Sequence, residues 1–302
     1  MRFAISIPQF VADGSFDPAG FRAYLRRAEE LGFESAWAQE HTFGSQPVLS
    51  ALETMSYAAA CTDGLRLGCA VFVSPTRSPV HLAKAVSSLD QLSRGRIEIG
   101  LGIGGDRGLA AFGVKPDERA ARFVEGLRLM NACWTQAQVS FDGRFWKLDG
   151  VAMEPKPFQK PRPPIWIGGG HPNALRRAVK YGDGFYGAGS STIPQFAERA
   201  AIVREELARQ RRDPSTFRIS KRVYIAVDDD RDRARRRIEA ALEALYGTDR
   251  LAAVAVSGTP DDCVESLLAI GQAGAELIQF NPMFDDADQM ERFAAEIIPR
   301  LG

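Results

Sequence analysis

A helix, a glycine and a short apolar strand recur along this chain, and that unit restricts its fold more than any other feature. It appears first as Phe21 to Leu31, with Phe21, Leu25, Ala28 and Leu31 on one stripe, then Gly32 and Ser35-Ala36-Trp37-Ala38. It returns as Ala174 to Tyr181, Gly182 and Gly184-Phe185-Tyr186-Gly187, and again as Val264 to Gln272, Gly274 and Leu277-Ile278-Gln279-Phe280. Glycine suits the left-handed position that ends a helix, and a strand can follow at once because αβ loops are short. The architecture repeats without a repeated sequence.

Five further apolar runs read as strands: Phe3–Ile7, Leu67–Phe72, Ile97–Leu101, Ile165–Ile167 and Val223–Val227. Helical patterns lie between them at 47–60, 79–92, 117–136, 193–210 and 231–245, with a last one at 287–299. Strands separated by helices imply right-handed crossovers and a parallel sheet. Eight such units favour a closed (β/α)8 TIM barrel with insertions over an open doubly wound sheet. One domain over residues 1–302 is expected, with an excursion near 138–164. There Asp142-Gly143 between β-formers signals a hairpin, and Pro155, Pro157, Pro161, Pro163 and Pro164 fix an extended connector. Gly258-Thr259-Pro260-Asp261-Asp262 is a helix start, with Thr259 as N-cap and Pro260 at the first helical position.

Charge narrows the partners. Lys+Arg and Asp+Glu both number 38, so the basic excess of a nucleic-acid binder is absent. The densest basic run, Arg231 to Arg237, is interleaved with Asp228, Asp229, Asp230, Asp232 and Glu239 and reads as a solvated helix face. No apolar window is long enough to cross a membrane, and the N-terminal run Met1 to Pro8 lacks the pattern of a signal peptide. Cys61, Cys69, Cys133 and Cys263 have neither zinc nor redox-pair spacing and read as buried thiols of a reducing compartment, so a cytoplasmic protein is expected.

Barrel enzymes carry their chemistry at the carboxyl ends of the strands. Here those ends offer Pro8-Gln9, Glu40-His41, Val73-Ser74-Pro75, Gly102-Ile103-Gly104-Gly105, Gly168-Gly169-Gly170, Ala188-Gly189-Ser190 and Asn281-Pro282, a set rich in glycine and poor in metal ligands. No metal site is expected, since His41, His81 and His171 have no partner at ligand spacing. Gly168-Gly169-Gly170 before a helix starting at Pro172 is either an anion cradle or a plain strand-to-helix turn. The glycines of Gly100-Leu101-Gly102-Ile103-Gly104 leave one strand face bare, which admits either a flat ring or large neighbouring side chains. His41 is either a general acid or base or a hydrogen-bonded structural histidine.

Pro75-Thr76-Arg77-Ser78-Pro79-Val80-His81-Leu82-Ala83-Lys84, then Leu89-Asp90, Leu92-Ser93 and Gly95-Arg96 leading into Gly100-Leu101-Gly102, resembles the bacterial luciferase-like monooxygenase superfamily. So do Phe141-Asp142-Gly143-Arg144-Phe145, Pro163-Pro164-Ile165-Trp166-Ile167-Gly168-Gly169, Asp183-Gly184-Phe185 and Gly258-Thr259-Pro260, in the family's order over nearly the whole chain. The resemblance implies a flavin or deazaflavin on the carboxyl side of the barrel, with Glu40 and His41 over the reactive ring. It puts Ala70-Val71 where members place a non-prolyl cis peptide, a bulge pressing on the central ring. It implies Ile103, Gly104 and Gly105 at the pyrimidine end, and Gly168, Gly169, Gly170, Gly189 and Ser190 around the tail and phosphate.

Within the superfamily the chain is most similar to oxidoreductases using the deazaflavin coenzyme F-420. Sugar-phosphate dehydrogenases of that branch carry a glutamate where this chain has Gly105, a departure that counts against glucose 6-phosphate as substrate. The resemblance therefore implies hydride transfer between F-420 and a small organic substrate, with His41 and Glu40 as catalytic residues and a homodimer as the assembly. Two other readings stand beside it. One is an FMN-dependent monooxygenase fed by a flavin reductase partner and oxygen, and the other a flavin-binding barrel without catalysis. The loops at 9–16, 41–47, 106–115 and 246–258 are expected to line the substrate pocket.

Overall fold

The computed structural model describes residues 1–11, 14–44, 46–105, 108–248 and 250–302. Its strands are β1 (Arg2–Ser6), β2 (Ser35–Ala38), β3 (Arg66–Val73), β4 (Ile97–Gly102), β5 (Val139–Asp142), β6 (Lys147–Val151), β7 (Ile165–Gly168), β8 (Gly184–Gly187), β9 (Arg218–Val227), β10 (Val256–Gly258) and β11 (Leu277–Pro282). Eight of them close in the order β1-β2-β3-β4-β7-β8-β9-β11, every pair parallel, and β11 returns to β1 through Arg2↔Leu277. This is the (β/α)8 barrel expected from the alternating pattern.

The helices are α1 (Pro18–Glu30), α2 (Ala51–Cys61), α3 (Pro79–Leu92), α4 (Arg119–Thr135), α5 (Pro172–Tyr181), α6 (Ile193–Arg209), α7 (Arg231–Tyr246), α8 (Pro260–Gln272) and α9 (Asp286–Arg292). Several begin as their sequences dictate. Thr192 and Thr259 form capping boxes with Gln195 and Asp262, and Pro79, Pro172 and Pro260 occupy first-turn positions whose missing N–H costs nothing. Among the described residues no helix is long and apolar enough to cross a membrane.

Four expectations need correction. β9 starts at Arg218, five residues before the expected Val223, because Ser220 and Arg222 turn inward and interrupt the apolar run. β10 was not expected; it extends the sheet beyond the barrel by pairing Val256 with Ile225. The final helix is regular only over α9, passing through a wider turn at 293–297 and a tight one at 298–300, where Pro299 has no N–H to continue the ladder. Gly32 and Gly274 have the expected positive φ, but Gly182 does not. A Cβ there would lie 3.0 Å from the Ile165 oxygen, so close packing, not handedness, calls for glycine.

The excursion is the β5–β6 hairpin, closed by the Gly143 N–H to the Trp146 carbonyl. The core has two compartments. Aliphatic and Phe side chains fill the layer between strands and helices, while Trp37, Trp166 and Tyr186 fill the barrel with Ala4 and Leu277. The ring of Trp37 lies 4.8 Å from Tyr186 and 5.9 Å from Trp166, packing that closes the lower barrel. Cys61, Cys69, Cys133 and Cys263 are buried free thiols.

Candidate active site at the carboxyl end of the barrel

Above the aromatic layer, inward residues of successive strands form a hydrogen-bonded floor. Tyr186 Oη donates to Gln279 Oε1, Gln279 Nε2 to Ser6 Oγ at 3.0 Å, and Ser6 to Asn281 Oδ1. Gln39 Nε2 donates to the same Asn281 oxygen at 3.3 Å, and Tyr246 Oη donates to Gln39 Oε1 at 3.3 Å. Gln9 ties the exits of β1 and β2 together, its Nε2 donating to the Gln39 and Leu49 carbonyls. A satisfied network of this kind is rigid, which is what a positioning surface requires.

His41 stands over this floor, half-buried, with Phe10 edge-on at 5.8 Å and Tyr246 at 6.5 Å. Burial and the Arg222 guanidinium push its pKa below the ordinary value, against a smaller opposing pull from Glu40. The imidazole is therefore neutral at pH 7 and able to accept a proton. Glu40, its chain neighbour, turns the other way. Its carboxylate accepts from Arg77 Nε at 2.7 Å, from Arg77 Nη2 and from the Val73 N–H, so it fastens the exit of β3.

The Ala70–Val71 peptide is cis, and the β3–β4 register shifts beside it, between Cys69 and Phe72. Val71 projects onto the glycines around it. A Cβ on Gly102 would lie 2.6 Å from Val71 Cγ2, and one on Gly168 would lie 3.0 Å from Val71 Cγ1. A Cβ on Gly100 would lie 2.1 Å from the Cys69 carbonyl oxygen. The bare face of β4 is thus occupied by the β3 bulge, and Val71 presents the ledge that a ring would meet. Ile103 packs against the outer core, Gly104 lies against Val73, and Gly105 has open space around it.

Beyond β7 the triple glycine opens toward α6. Gly169 has φ +145°, and a Cβ there would come within 2.7 Å of Ala174. The Arg199 guanidinium of α6 rests on Gly170, where a Cβ would meet its Nη2 at 2.7 Å. No described acidic residue pairs with Arg199. The neighbouring turn carries Gly189, buried, and Ser190, exposed. From behind, Lys221 Nζ donates to the Ala188 and Ser191 carbonyls at 2.6 and 3.0 Å. Burial, with Arg222 and Arg199 nearby, lowers its pKa to about 7.

Arg222, an inward residue of β9, escapes the sequence reading because the strand was expected to start after it, and Tyr224, within the expected strand, was not singled out. Arg222 Nη2 donates to Tyr224 Oη at 3.0 Å, while its Nε is buried without an acceptor. Ser74 Oγ, at the exit of β3, is likewise buried and unpartnered. Such atoms are costly unless a ligand completes them.

Beside the floor lies a chamber of about 270 Å³ whose walls include Ile7, Phe10, Val11, Leu245, Met283 and Asp286. A larger cavity of about 720 Å³ opens at the opposite end of the barrel, but its charges pair among themselves as Arg2–Glu34, Arg66–Glu98 and Arg162–Asp183. Among the described residues, the carboxyl end instead carries the buried unpartnered atoms of Ser74 and Arg222. Residues 12–13, 45, 106–107 and 249 of the expected pocket loops lie outside the described residues. His81 and His171 are exposed on helix starts, and among the described residues no cluster of His, Cys, Asp or Glu could hold a metal.

A family model described as luciferase-like monooxygenase matches residues 1–277. A relative from Beutenbergia cavernae, named F-420-dependent glucose-6-phosphate dehydrogenase, is 30% identical over 95% of this chain and 94% of its own length. The structure of the monooxygenase RslO1 from Streptomyces bottropensis superposes with a TM-score of 0.87 at 26% identity, covering 100% of both chains. That of a coenzyme F-420-dependent tetrahydromethanopterin reductase from Methanopyrus kandleri has a TM-score of 0.83 at 19% identity over 100% of this chain and 99% of that one, a likeness of fold.

Proposed function

The chain belongs to the luciferase-like monooxygenase family, and within it we propose an F-420-dependent oxidoreductase that moves a hydride between the deazaflavin and a small organic substrate. The carrying observation is the convergence at one barrel mouth of a neutral histidine, an apolar ledge and an unpaired cation over a glycine turn. The relative of 30% identity supports the deazaflavin over FMN.

The residues present fit such a cofactor. Gly168, Gly169, Gly170, Gly189 and Ser190, with Arg199 over them and Lys221 behind, form a cationic cradle for an anionic tail. Val71 and the backbone of Gly104 and Gly105 would border the ring, and the orphaned Ser74 hydroxyl is free to bond it. The bound deazaflavin supplies the hydride chemistry; the protein supplies orientation and a proton path. His41 Nδ1 or Nε2 takes a proton from a substrate alcohol, or returns one to a carbonyl oxygen. Glu40 is a positioning residue, held by Arg77 and holding the β3 exit in turn. Gly105 stands where the sugar-phosphate dehydrogenases carry a glutamate, so a substrate other than glucose 6-phosphate is proposed.

Anaerobic assays against a panel of alcohols, carbonyls and enones test this reading. The expected result is F-420-linked turnover without oxygen. Turnover confined to reduced FMN with oxygen would instead assign a monooxygenase, the activity named for the structural relative of 26% identity.

A further inference from the structure

Among the described residues, Arg222 is a cation of the mouth that has no carboxylate partner and no hydrogen bond to the floor, lying beside the Gly189 edge of the tail cradle. It rises from β9 between Gly189 and Tyr224, its guanidinium lying over the Tyr224 ring and donating to the Tyr224 hydroxyl. No carboxylate among the described residues forms an ion pair with it, and its Nε is shielded from solvent without an acceptor. Its neighbours His41, Tyr186 and Tyr246 are neutral at pH 7, and Lys221, titrating near 7, brings no negative charge. A guanidinium offers a planar fork of donors matched to a carboxylate. An uncompensated one facing a ligand mouth is therefore completed by whatever binds there.

The chamber that Gln39 lines from the far side of Tyr246 describes the rest of that ligand. Tyr246 and Gln39 connect Arg222's surroundings to the chamber, and Phe10 belongs to both the chamber wall and the packing around His41. The chamber is largely apolar, and its described lining includes a single carboxylate, Asp286, which opposes a second anionic group at that end. Its 270 Å³ holds one small ring or a short branched chain.

We propose that the substrate is a small apolar monocarboxylic acid whose carboxylate pairs with Arg222, leaving its reacting carbon beside His41. The assignment rests on the oxidoreductase reading for the site's purpose, but not for the anion contact itself.

Benzoate and its neutral isostere benzamide are suitable probes, titrated calorimetrically into wild type, Arg222→Gln and Arg222→Lys, each with and without F-420. Wild type is expected to prefer benzoate by about tenfold or more, Arg222→Lys to retain part of that preference, and Arg222→Gln to lose it while binding F-420 as wild type does. Equal binding of the two probes by wild type, or binding of neither, overturns the proposal. So does a preference that survives in Arg222→Gln, or an Arg222→Gln protein whose F-420 affinity falls about tenfold, which would make Arg222 a cofactor ligand. Failure of wild type to bind F-420, with the benzoate preference intact, would instead count against the oxidoreductase reading and leave the anion site standing.

Discussion

Adjacent residues at the end of β2 have opposite duties. Glu40 and His41 both lie in the loop that leaves β2, where their side chains take different partners. The structure gives the mouth to His41 and turns Glu40 to Arg77 and the Val73 N–H. His41→Ala should accordingly lower kcat by about 100-fold, the ordinary worth of a positioned acid or base, while leaving cofactor affinity near that of wild type. Since burial and Arg222 depress the His41 pKa, the oxidative direction should lose activity only as pH falls below 6.5. A pH profile of kcat in both proteins checks this; a variant with wild-type turnover removes His41 from the chemistry. His41 was legible in the sequence by its place at a strand end. Arg222 was not, because an arginine inside a strand breaks the apolar pattern by which strands are recognised.

Elements show a similar division. Helix starts were readable because Pro79, Pro172, Thr192 and Thr259 act locally. The purpose of the β4 glycines was not, because it depends on Val71, which arrives from another strand. The first turn of α9 carries a further consequence. Asp286 lines the chamber, and burial, reinforced by Asp285, raises its pKa from 3.8 to about 6. A carboxyl whose folded pKa exceeds its unfolded value stabilises the fold below the unfolded pKa, and that contribution is lost as pH rises through the folded one. The loss thus falls between pH 4 and 6 and is complete at neutrality. Asp286→Asn should therefore be more stable than wild type at pH 8 by about 1–3 kcal/mol, with the difference vanishing toward pH 4. Urea denaturation at the two pH values measures it, and an equal gain at both would show that charge is not the cause.

At the scale of the molecule, the barrel brings residues from 40 to 222 to one mouth, with β11 closing on β1. The eight-unit alternation made that closure legible, whereas the order of side chains around the mouth depends on inward registers that no local pattern fixes. The proposed function rests on one consequence of closure: an anionic tail gripped at Gly169 and Gly170 would place a planar ring between the Val71 ledge and His41. Equilibrium titration of F-420 into wild type and Gly169→Val, with circular dichroism to establish that both are folded, tests this most directly. Wild type should bind F-420 in preference to FMN. The variant, strained at φ +145° and crowded against Ala174, should bind it at least about tenfold more weakly. A wild type that binds neither cofactor, or a folded variant with undiminished affinity, would contradict the account.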